Sequence, residues 1–229
     1  MTQPAPTTLL ALDTSTRTVG MAVYNGVQVL SESIWFCQDH HTVELAPAVA
    51  DLLAKTGLRV ADLAALGVAL GPGSFTGLRI GLAFAKGLAL AQNIPLIGVP
   101  TLDALAAAQP VQAERLAAVL QAGRGRLAVS WYQPEGGSWR SDGQLQVLTP
   151  DELVERIQTP TMVCGELTES ERRLLRRNRK FVFLASPALS LRRPSFLAEL
   201  AWQKWQAGQA DNPASLAPIY LHYNEAIPG

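Results

Sequence analysis

The sequence predicts an α/β fold made of two halves that share one order of elements. Each half begins with three consecutive strands and continues with helices and strands in alternation, in the order β-β-β-α-β-α. Asn25-Gly26, a strong signal for a tight hairpin turn, joins two strands of the first half. The chain has 229 residues, 48% of them hydrophobic, which suffices for one or two compact lobes. The element order alone also allows a doubly wound α/β fold.

The first half is organised around a glycine turn and the helix that follows it. An apolar strand leads into Gly71-Pro72-Gly73, and the side-chain oxygen of Ser74 can then cap the first turn of a helix ending near Gln92. The other elements predicted here are strands over 8–13, 19–24, 27–34, 65–70 and 96–99, and helices over 41–55 and 101–108.

The second half repeats this order. Thr149 is the predicted cap of a helix that opens with Pro150, and Ser195 is the predicted cap of the last helix, which extends to Ala207. The remaining predicted elements are strands over 116–121, 127–133, 145–148, 161–164 and 181–184, and a polar helix over 169–179.

Small residues form a stripe along the helix that starts at Ser74. Gly77, Gly81, Ala85 and Ala89 recur every four residues. Each glycine inside a helix costs about 1 kcal/mol relative to alanine, so two on one stripe indicate that another backbone approaches closely. The helix could be an ordinary core helix, could pack on a helix of this chain or of another subunit, or could cradle a phosphate. The spacing G-x-G-x-x-x-G disfavours the phosphate cradle, because it departs from the dinucleotide fingerprint.

Composition excludes several classes of protein. Nineteen basic and 19 acidic residues give no net charge, which argues against a dedicated nucleic-acid surface. The two cysteines, Cys37 and Cys164, form no C-x-x-C pair, which excludes zinc-ribbon and thioredoxin-type sites and fits a reduced, cytoplasmic setting. No signal-type start and no uncharged apolar stretch long enough to span a bilayer is present, so no membrane association is expected.

Three segments carry a resemblance to a known family. LLALDTST, HTVELAPAVADLL and above all GPGSFTGLRIGLAFAKGLA resemble the TsaB (YeaZ-like) family, which works in the threonylcarbamoyladenosine modification of tRNA. The resemblance covers about the first half of the chain. It implies the actin-like (Hsp70-ATPase, or ASKHA) fold of two ribonuclease-H-like lobes. We expect an N-terminal lobe over 1–109 and a smaller, more divergent C-terminal lobe over 110–229.

The resemblance also implies a function and a set of partners. A TsaB-like chain is expected to be a non-catalytic scaffold that binds and activates a TsaD-like catalytic subunit, together with a TsaE-like ATPase. It is expected to form a homodimer when alone and to meet tRNA only through the complex. The alternatives are an actin-like ATP-dependent enzyme or a metallopeptidase-like protein that is active alone, and a tRNA-binding module.

The actin-like resemblance assigns a candidate nucleotide turn to Asp13, Thr14 and Ser15, directly after the first strand. A carboxylate and hydroxyls suit magnesium, but Ser15 stands where actin-like enzymes usually carry glycine, and Gln121 replaces the matching acid of the second lobe. We therefore expect no cofactor, or weak ATP or ADP binding. In the TsaD-like paralogue two histidines spaced H-x-x-x-H hold a metal. Alignment of the preceding strands places Thr101 and Leu105 at those positions, so no metal site is expected.

The partner surface is predicted on helices 41–55 and 74–92. Both are apolar on more than one side, and a helix that is apolar all round is buried on all sides. Because the sheet covers one side only, the other should meet another subunit, as the resemblance implies. The predicted interface residues are Leu45, Val49, Leu52, Gly77, Leu78, Gly81, Leu82 and Ala85.

One basic segment suggests contact with tRNA phosphates. Six basic residues lie between Arg172 and Lys180. The alternative is an ordinary solvated helix surface, which the zero net charge and the neighbouring Glu166, Glu169 and Glu171 favour.

Overall fold

A computed structural model describes residues 7–37 and 41–221 of the chain. They form two compact units. Of the described residues, unit 1 contains 7–37, 41–104 and Arg192–Ile219, and unit 2 contains Leu105–Leu191 with Tyr220 and Leu221. Each unit is built on one five-stranded mixed sheet.

The sheet of unit 1 has the strand order β3-β2-β1-β4-β5. Its first three strands form an antiparallel meander, and β4 and β5 add in parallel to β1. The strands are β1 (Thr8–Asp13), β2 (Thr18–Tyr24), β3 (Val29–Phe36), β4 (Leu63–Ala69) and β5 (Leu96–Val99).

Helices cover both faces of this sheet. On one face, α1 (His41–Lys55) and α2 (Phe75–Gln92) share a core with β1, β2 and β4. On the other, α6 (Pro194–Gln206) packs against Leu9, Ala11 and Ala22. Small side chains on these strands allow the helix to approach closely, and a Cβ atom on Gly67 of β4 would overlap Ala201 of α6. The short helix α3 (Thr101–Ala107) follows β5.

The sheet of unit 2 has the equivalent strand order, β8-β7-β6-β9-β10, again with three antiparallel strands and two parallel ones. Its strands are β6 (Arg115–Gly123), β7 (Arg126–Glu135), β8 (Ser138–Leu148), β9 (Thr161–Gly165) and β10 (Val182–Leu184). Its helices are α4 (Pro150–Arg156) and α5 (Glu169–Leu175). The doubled β-β-β-α-β-α order predicted from the sequence is therefore confirmed.

Two predictions about the C-terminal part of the chain are wrong. Residues 110–229 do not all belong to the second lobe, because α6 buries Leu197, Ala198 and Ala201 on the sheet of unit 1. The sequence of α6 shows that it has an apolar face but not which sheet that face will cover. Ser195 does not cap α6, because the helix begins one residue earlier, at Pro194. The backbone N–H of Ser195 instead donates to Glu32 Oε1 of β3 over 2.9 Å.

Candidate functional site

The turn between β1 and β2 is the candidate nucleotide turn, and its side chains point into unit 1. Asp13, Thr14 and Ser15 are 4%, 2% and 0% exposed. The Thr14 hydroxyl donates to the carbonyl of Gly77 over 2.7 Å. The Ser15 hydroxyl lies 2.7 Å from that of Thr101, which accepts from the Gly71 backbone N–H over 3.0 Å. The hydroxyls of Thr14 and Ser15 are therefore already bonded within the unit.

The N-terminal end of α2 lies directly on this turn. Ser74 caps the helix by accepting from the N–H of Gly77, as the sequence predicts, and its own N–H donates to the carbonyl of Ser15 over 2.6 Å. A Cβ atom on Gly73 would overlap the Ser15 carbonyl oxygen, and one on Gly77 would overlap that of Thr14. The glycines of the signature thus allow α2 to sit against the backbone of the β1–β2 turn.

Asp13 is paired with a cation from the far end of the chain. Its Oδ2 accepts from Arg192 Nε over 2.9 Å, and its Oδ1 accepts from the backbone N–H of Ser15 over 2.8 Å. Arg192 Nη2 donates to the Thr16 hydroxyl over 2.7 Å and to the Thr18 carbonyl over 2.9 Å. The side chains of Asp13 and Arg192 are 6% and 2% exposed. The pair therefore closes the turn from within the chain.

These contacts do not fit a magnesium–nucleotide group. Magnesium would need the oxygens of Asp13, and both already accept hydrogen bonds. A phosphate would need backbone N–H groups at the start of α2, but the Ser74 N–H is bonded to Ser15. Binding would require displacement of the Arg192 guanidinium, which already supplies the positive charge next to Asp13.

The equivalent turn in unit 2 also uses its polar groups internally. Gln121, which replaces the acid of the nucleotide-binding pattern, donates from Nε2 to the Glu166 carbonyl over 3.0 Å and to Glu171 Oε2 over 2.8 Å. The exposed tip of the hairpin is formed by Arg124 and Gly125, which have φ angles of 52° and 69°.

The positions aligned with metal-binding histidines carry no ligand cluster. Thr101 is bonded within unit 1, and Leu105 is fully buried. Residues 7–37 and 41–221 contain no group of three His, Cys, Asp or Glu side chains placed to hold a metal ion. Cys37 and Cys164 are both buried, and burial raises the pKa of the Cys164 thiol. The histidines at positions 40 and 222 lie outside the described residues.

The prediction that eight residues of α1 and α2 form the partner interface is wrong, because all eight lie inside unit 1. Leu45, Val49, Leu52, Leu78, Leu82 and Ala85 are between 0% and 5% exposed, and Gly77 and Gly81 are buried in α2. The glycine stripe faces the chain's own β1–β2 turn: a Cβ atom on Gly81 would overlap the Thr14 hydroxyl. These side chains stabilise the unit itself and cannot reach another subunit.

A different face of the same two helices is exposed and consists mostly of small or apolar residues. We call it the α1–α2 outer face. On α1, Val43 is 69% exposed and is followed by Pro47, Ala50 and Ala54, all exposed. On α2, the exposed apolar residues are Phe75, Ala83, Gly87, Leu90 and Ala91.

Two polar residues that organise unit 1 were missed by sequence reasoning. Arg192 closes the β1–β2 turn, and Glu32 on β3 binds Arg193 Nε at 3.1 Å and Nη2 at 2.5 Å while capping α6. Both contacts join residues more than 160 positions apart. No local pattern in a single sequence signals a contact of this kind.

Comparison with solved structures defines the class of fold. The chain superposes on the ROK hexokinase of Thermus thermophilus with a TM-score of 0.51 at 13% identity, covering 88% of this chain and 100% of that one. That likeness concerns the fold alone. The chain also superposes on YeaZ of Pseudomonas aeruginosa, with a TM-score of 0.77 at 30% identity, covering 93% of this chain and 99% of that one. The fold is the actin-like one expected from the sequence.

Comparison of sequences then defines the family. A family model described as "TsaD: tRNA N6-adenosine threonylcarbamoyltransferase" matches residues 35–193. The tRNA threonylcarbamoyladenosine biosynthesis protein TsaB of Bacillus subtilis is 31% identical over 229 residues, 96% of each chain. The protein of the same name from Escherichia coli is 38% identical over 153 residues, 66% of each chain. The chain belongs to the TsaB family, within the wider group that the TsaD model describes, and the resemblance drawn from its sequence is confirmed.

Proposed function

We propose that this chain is a non-catalytic subunit of the machinery that makes threonylcarbamoyladenosine in tRNA. The observation that carries the proposal is the likeness, over 96% of each chain, to a relative named as a biosynthesis protein for this modified nucleoside. The proposed role is to bind a TsaD-like catalytic subunit and hold it in its active arrangement. A TsaE-like ATPase completes the proposed assembly, which works in the cytoplasm.

The candidate nucleotide turn supports a role without catalysis. An actin-like enzyme needs carboxylates that are free to coordinate the metal of its nucleotide. Here Asp13 is paired with Arg192 at 2.9 Å, and its counterpart in unit 2 is Gln121. The proposal therefore includes weak ATP or ADP binding at most, with catalysis carried by the partner.

The α1–α2 outer face supports a role in assembly. Exposed residues of α1 and α2 are mostly alanine, glycine and apolar side chains, which allow another helix pair to approach closely. A second copy of the chain would use this face when the chain is alone, and the TsaD-like subunit would replace that copy when present.

The decisive experiment combines binding with modification. The purified chain should co-elute with the TsaD-like subunit of its own organism, and a reconstituted reaction should modify tRNA only when this chain is added. Deletion of its gene, with no second copy present, should lower threonylcarbamoyladenosine in bulk tRNA measured by nucleoside mass spectrometry. Normal modification in the deletion strain, or turnover by the chain alone with stoichiometric metal, would overturn the proposal.

A further inference from the structure

The basic segment at the end of α5 stands apart from the rest of the charged surface. Arg173, Arg176, Arg177, Arg179 and Lys180 are all exposed. With Arg172, this run holds six of the chain's 19 basic residues within nine positions and contains no acid. A protein with no net charge has therefore concentrated about a third of its cations on one edge of unit 2.

Most of these cations are not neutralised by the protein. Arg173 pairs with Glu169 at 3.2 Å. Within residues 7–37 and 41–221, Arg176, Arg177, Arg179 and Lys180 form no ion pair. The helix dipole accounts for basic residues in the last turn of α5, but its effect fades beyond that turn. Arg177, Arg179 and Lys180 follow the helix, so their mutual repulsion is not offset in that way.

An ordered turn holds the basic segment in place. The backbone N–H of Arg177 donates to the Leu174 carbonyl over 3.0 Å, and that of Asn178 donates to the Leu175 carbonyl over 3.1 Å. The Asn178 side chain then donates to the Ile157 carbonyl at the end of α4 over 3.3 Å. Cations on a fixed turn lose less conformational entropy when they bind a polyanion than cations on a flexible tail.

Aromatic side chains adjoin the cations. The Lys180 ammonium lies 4.8 Å from the ring centroid of Phe181, and Phe183 on the edge strand β10 is 50% exposed. Phe183 follows Lys180 by three positions along the chain, and an exposed aromatic side chain beside a run of cations in the sequence is typical of surfaces that hold unpaired bases by stacking and phosphates by charge. Arginine in particular matches phosphate with paired N–H donors.

We propose that Arg176, Arg177, Arg179, Lys180 and Phe183 form an RNA-binding patch on unit 2, with the four cations contacting backbone phosphates and Phe183 stacking on an unpaired base. The choice of tRNA as the RNA rests on the proposed function. The patch would let this subunit contact the substrate of the complex directly, whereas the family resemblance implies that tRNA is met only through the complex.

The test measures binding of a labelled tRNA transcript to the full-length chain by fluorescence anisotropy over a salt series. The patch variant changes Arg176, Arg177, Arg179 and Lys180 to Gln. The control variant changes four exposed cations elsewhere, Lys55, Arg59, Arg124 and Arg140, to Gln and so has the same net charge. We expect the patch variant to bind about tenfold or more weakly at low salt and to lose about 3 units of slope in log K against log[salt], while the control retains most of both.

A second variant tests the aromatic contact. Phe183→Leu removes the stacking surface but leaves every charge, so binding should weaken by roughly fivefold with the salt slope unchanged. Circular dichroism and thermal melts of each variant check that the fold is retained.

Three outcomes would overturn the inference. They are an equal loss in the patch and control variants, absence of tRNA binding by the folded wild type, and tighter binding to phosphatidylserine vesicles than to tRNA. The assay contains no TsaD-like subunit and measures no modification. Failure of the proposed function would leave tRNA binding intact, and failure of the patch would leave co-purification and modification intact.

Discussion

Asp13 and Arg192 form a buried ion pair at the candidate nucleotide turn between β1 and β2. Both side chains are nearly inaccessible, and Arg192 also binds Thr16 and the Thr18 carbonyl. The guanidinium supplies internally the positive charge that a magnesium ion would otherwise bring to the turn. The stability of unit 1 should therefore depend on the Asp13–Arg192 pair.

Asp13→Ala should destabilise the protein strongly. The substitution leaves the Arg192 guanidinium buried without its counter-charge, and loss of one partner from a buried pair typically costs about 3–5 kcal/mol. Urea denaturation should show a fall of this size in the free energy of unfolding. Glu135→Ala, which breaks the exposed pair with Arg140, should change the midpoint little.

The double variant Asp13→Ala/Arg192→Leu tests whether the lost stability comes from the unpaired Arg192 charge or from lost packing. Because neither buried charge remains, it should recover part of the lost stability. An Asp13→Ala protein as stable as the wild type would contradict this account of the pair.

The two kinds of glycine in α2 provide a second residue-scale test. Gly77→Ala places a methyl group against the Thr14 carbonyl oxygen, where the backbone cannot move aside, so the protein should lose stability. Gly87 has open space around its Cβ position, and Gly87→Ala should gain up to about 1 kcal/mol of helix stability. Thermal melts of the two variants would compare them directly. A gain in both would show that α2 does not press on the β1–β2 turn.

At the scale of elements, Glu32 links the edge strand β3 to the start of α6. Partial burial by itself raises the pKa of the Glu32 carboxyl, but hydrogen bonds from Arg193 and Ser195 outweigh it and hold the pKa below its usual value. A carboxyl with a lowered folded-state pKa stabilises the fold above its unfolded-state pKa and loses that contribution as pH falls through the folded-state pKa.

Glu32→Gln should therefore matter at neutral pH and progressively less in acid. The wild type should be more stable than Glu32→Gln at pH 7, and the gap should narrow as the pH falls below about 4, near and below the ordinary pKa of glutamate. Urea denaturation of both proteins over a pH series measures this gap. Asp151→Asn, at an exposed position of α4, serves as the control, and a gap independent of pH would contradict the capping role of Glu32.

Elements with strong local signals could be predicted from the sequence with accurate bounds. The helix at 41–55 and the Ser74 cap with its helix end at Gln92 match the structure, because capping and periodicity are local properties. The sequence predicts the third strand from residue 27, but β3 begins two residues later, because the hairpin at Asn25-Gly26 extends to Gln28 before pairing resumes. The sheet that α6 covers could not be predicted, because it depends on contacts with residues nearly 200 positions away.

At the candidate site too, the sequence predicts local features but not contacts between residues that are distant along the chain. Two glycines on one stripe correctly indicated that another backbone approaches α2. They could not reveal that this backbone is the β1–β2 turn, some 60 residues earlier, and the stripe was therefore assigned to a partner. The polar groups of the β1–β2 turn also depend on Arg192 for their hydrogen bonds. In the sequence, nothing distinguishes this residue from an ordinary surface arginine.

At the scale of the whole molecule, assembly with other subunits depends on the exposed surface of unit 1. No helix within the described residues is both long and apolar enough to cross a membrane. On the surface of unit 1, α1 and α2 carry exposed apolar residues such as Val43 and the 70% exposed Leu90. Exposed apolar residues that lie together on a protein surface commonly mark protein interfaces.

The last prediction concerns the α1–α2 outer face. Ala50→Arg combined with Ala83→Arg places two charges at exposed positions of the two helices. Arginine is a good helix former, so the fold should keep its stability. A close helix contact would have to bury both charges without partners, which is strongly unfavourable. We therefore expect the double variant to elute as a folded monomer and to lose binding to the TsaD-like subunit, as measured by light scattering and pull-down. Gln203→Arg on the exposed side of α6 should assemble like the wild type. If the double variant is folded and still assembles, the partner surface lies outside α1 and α2.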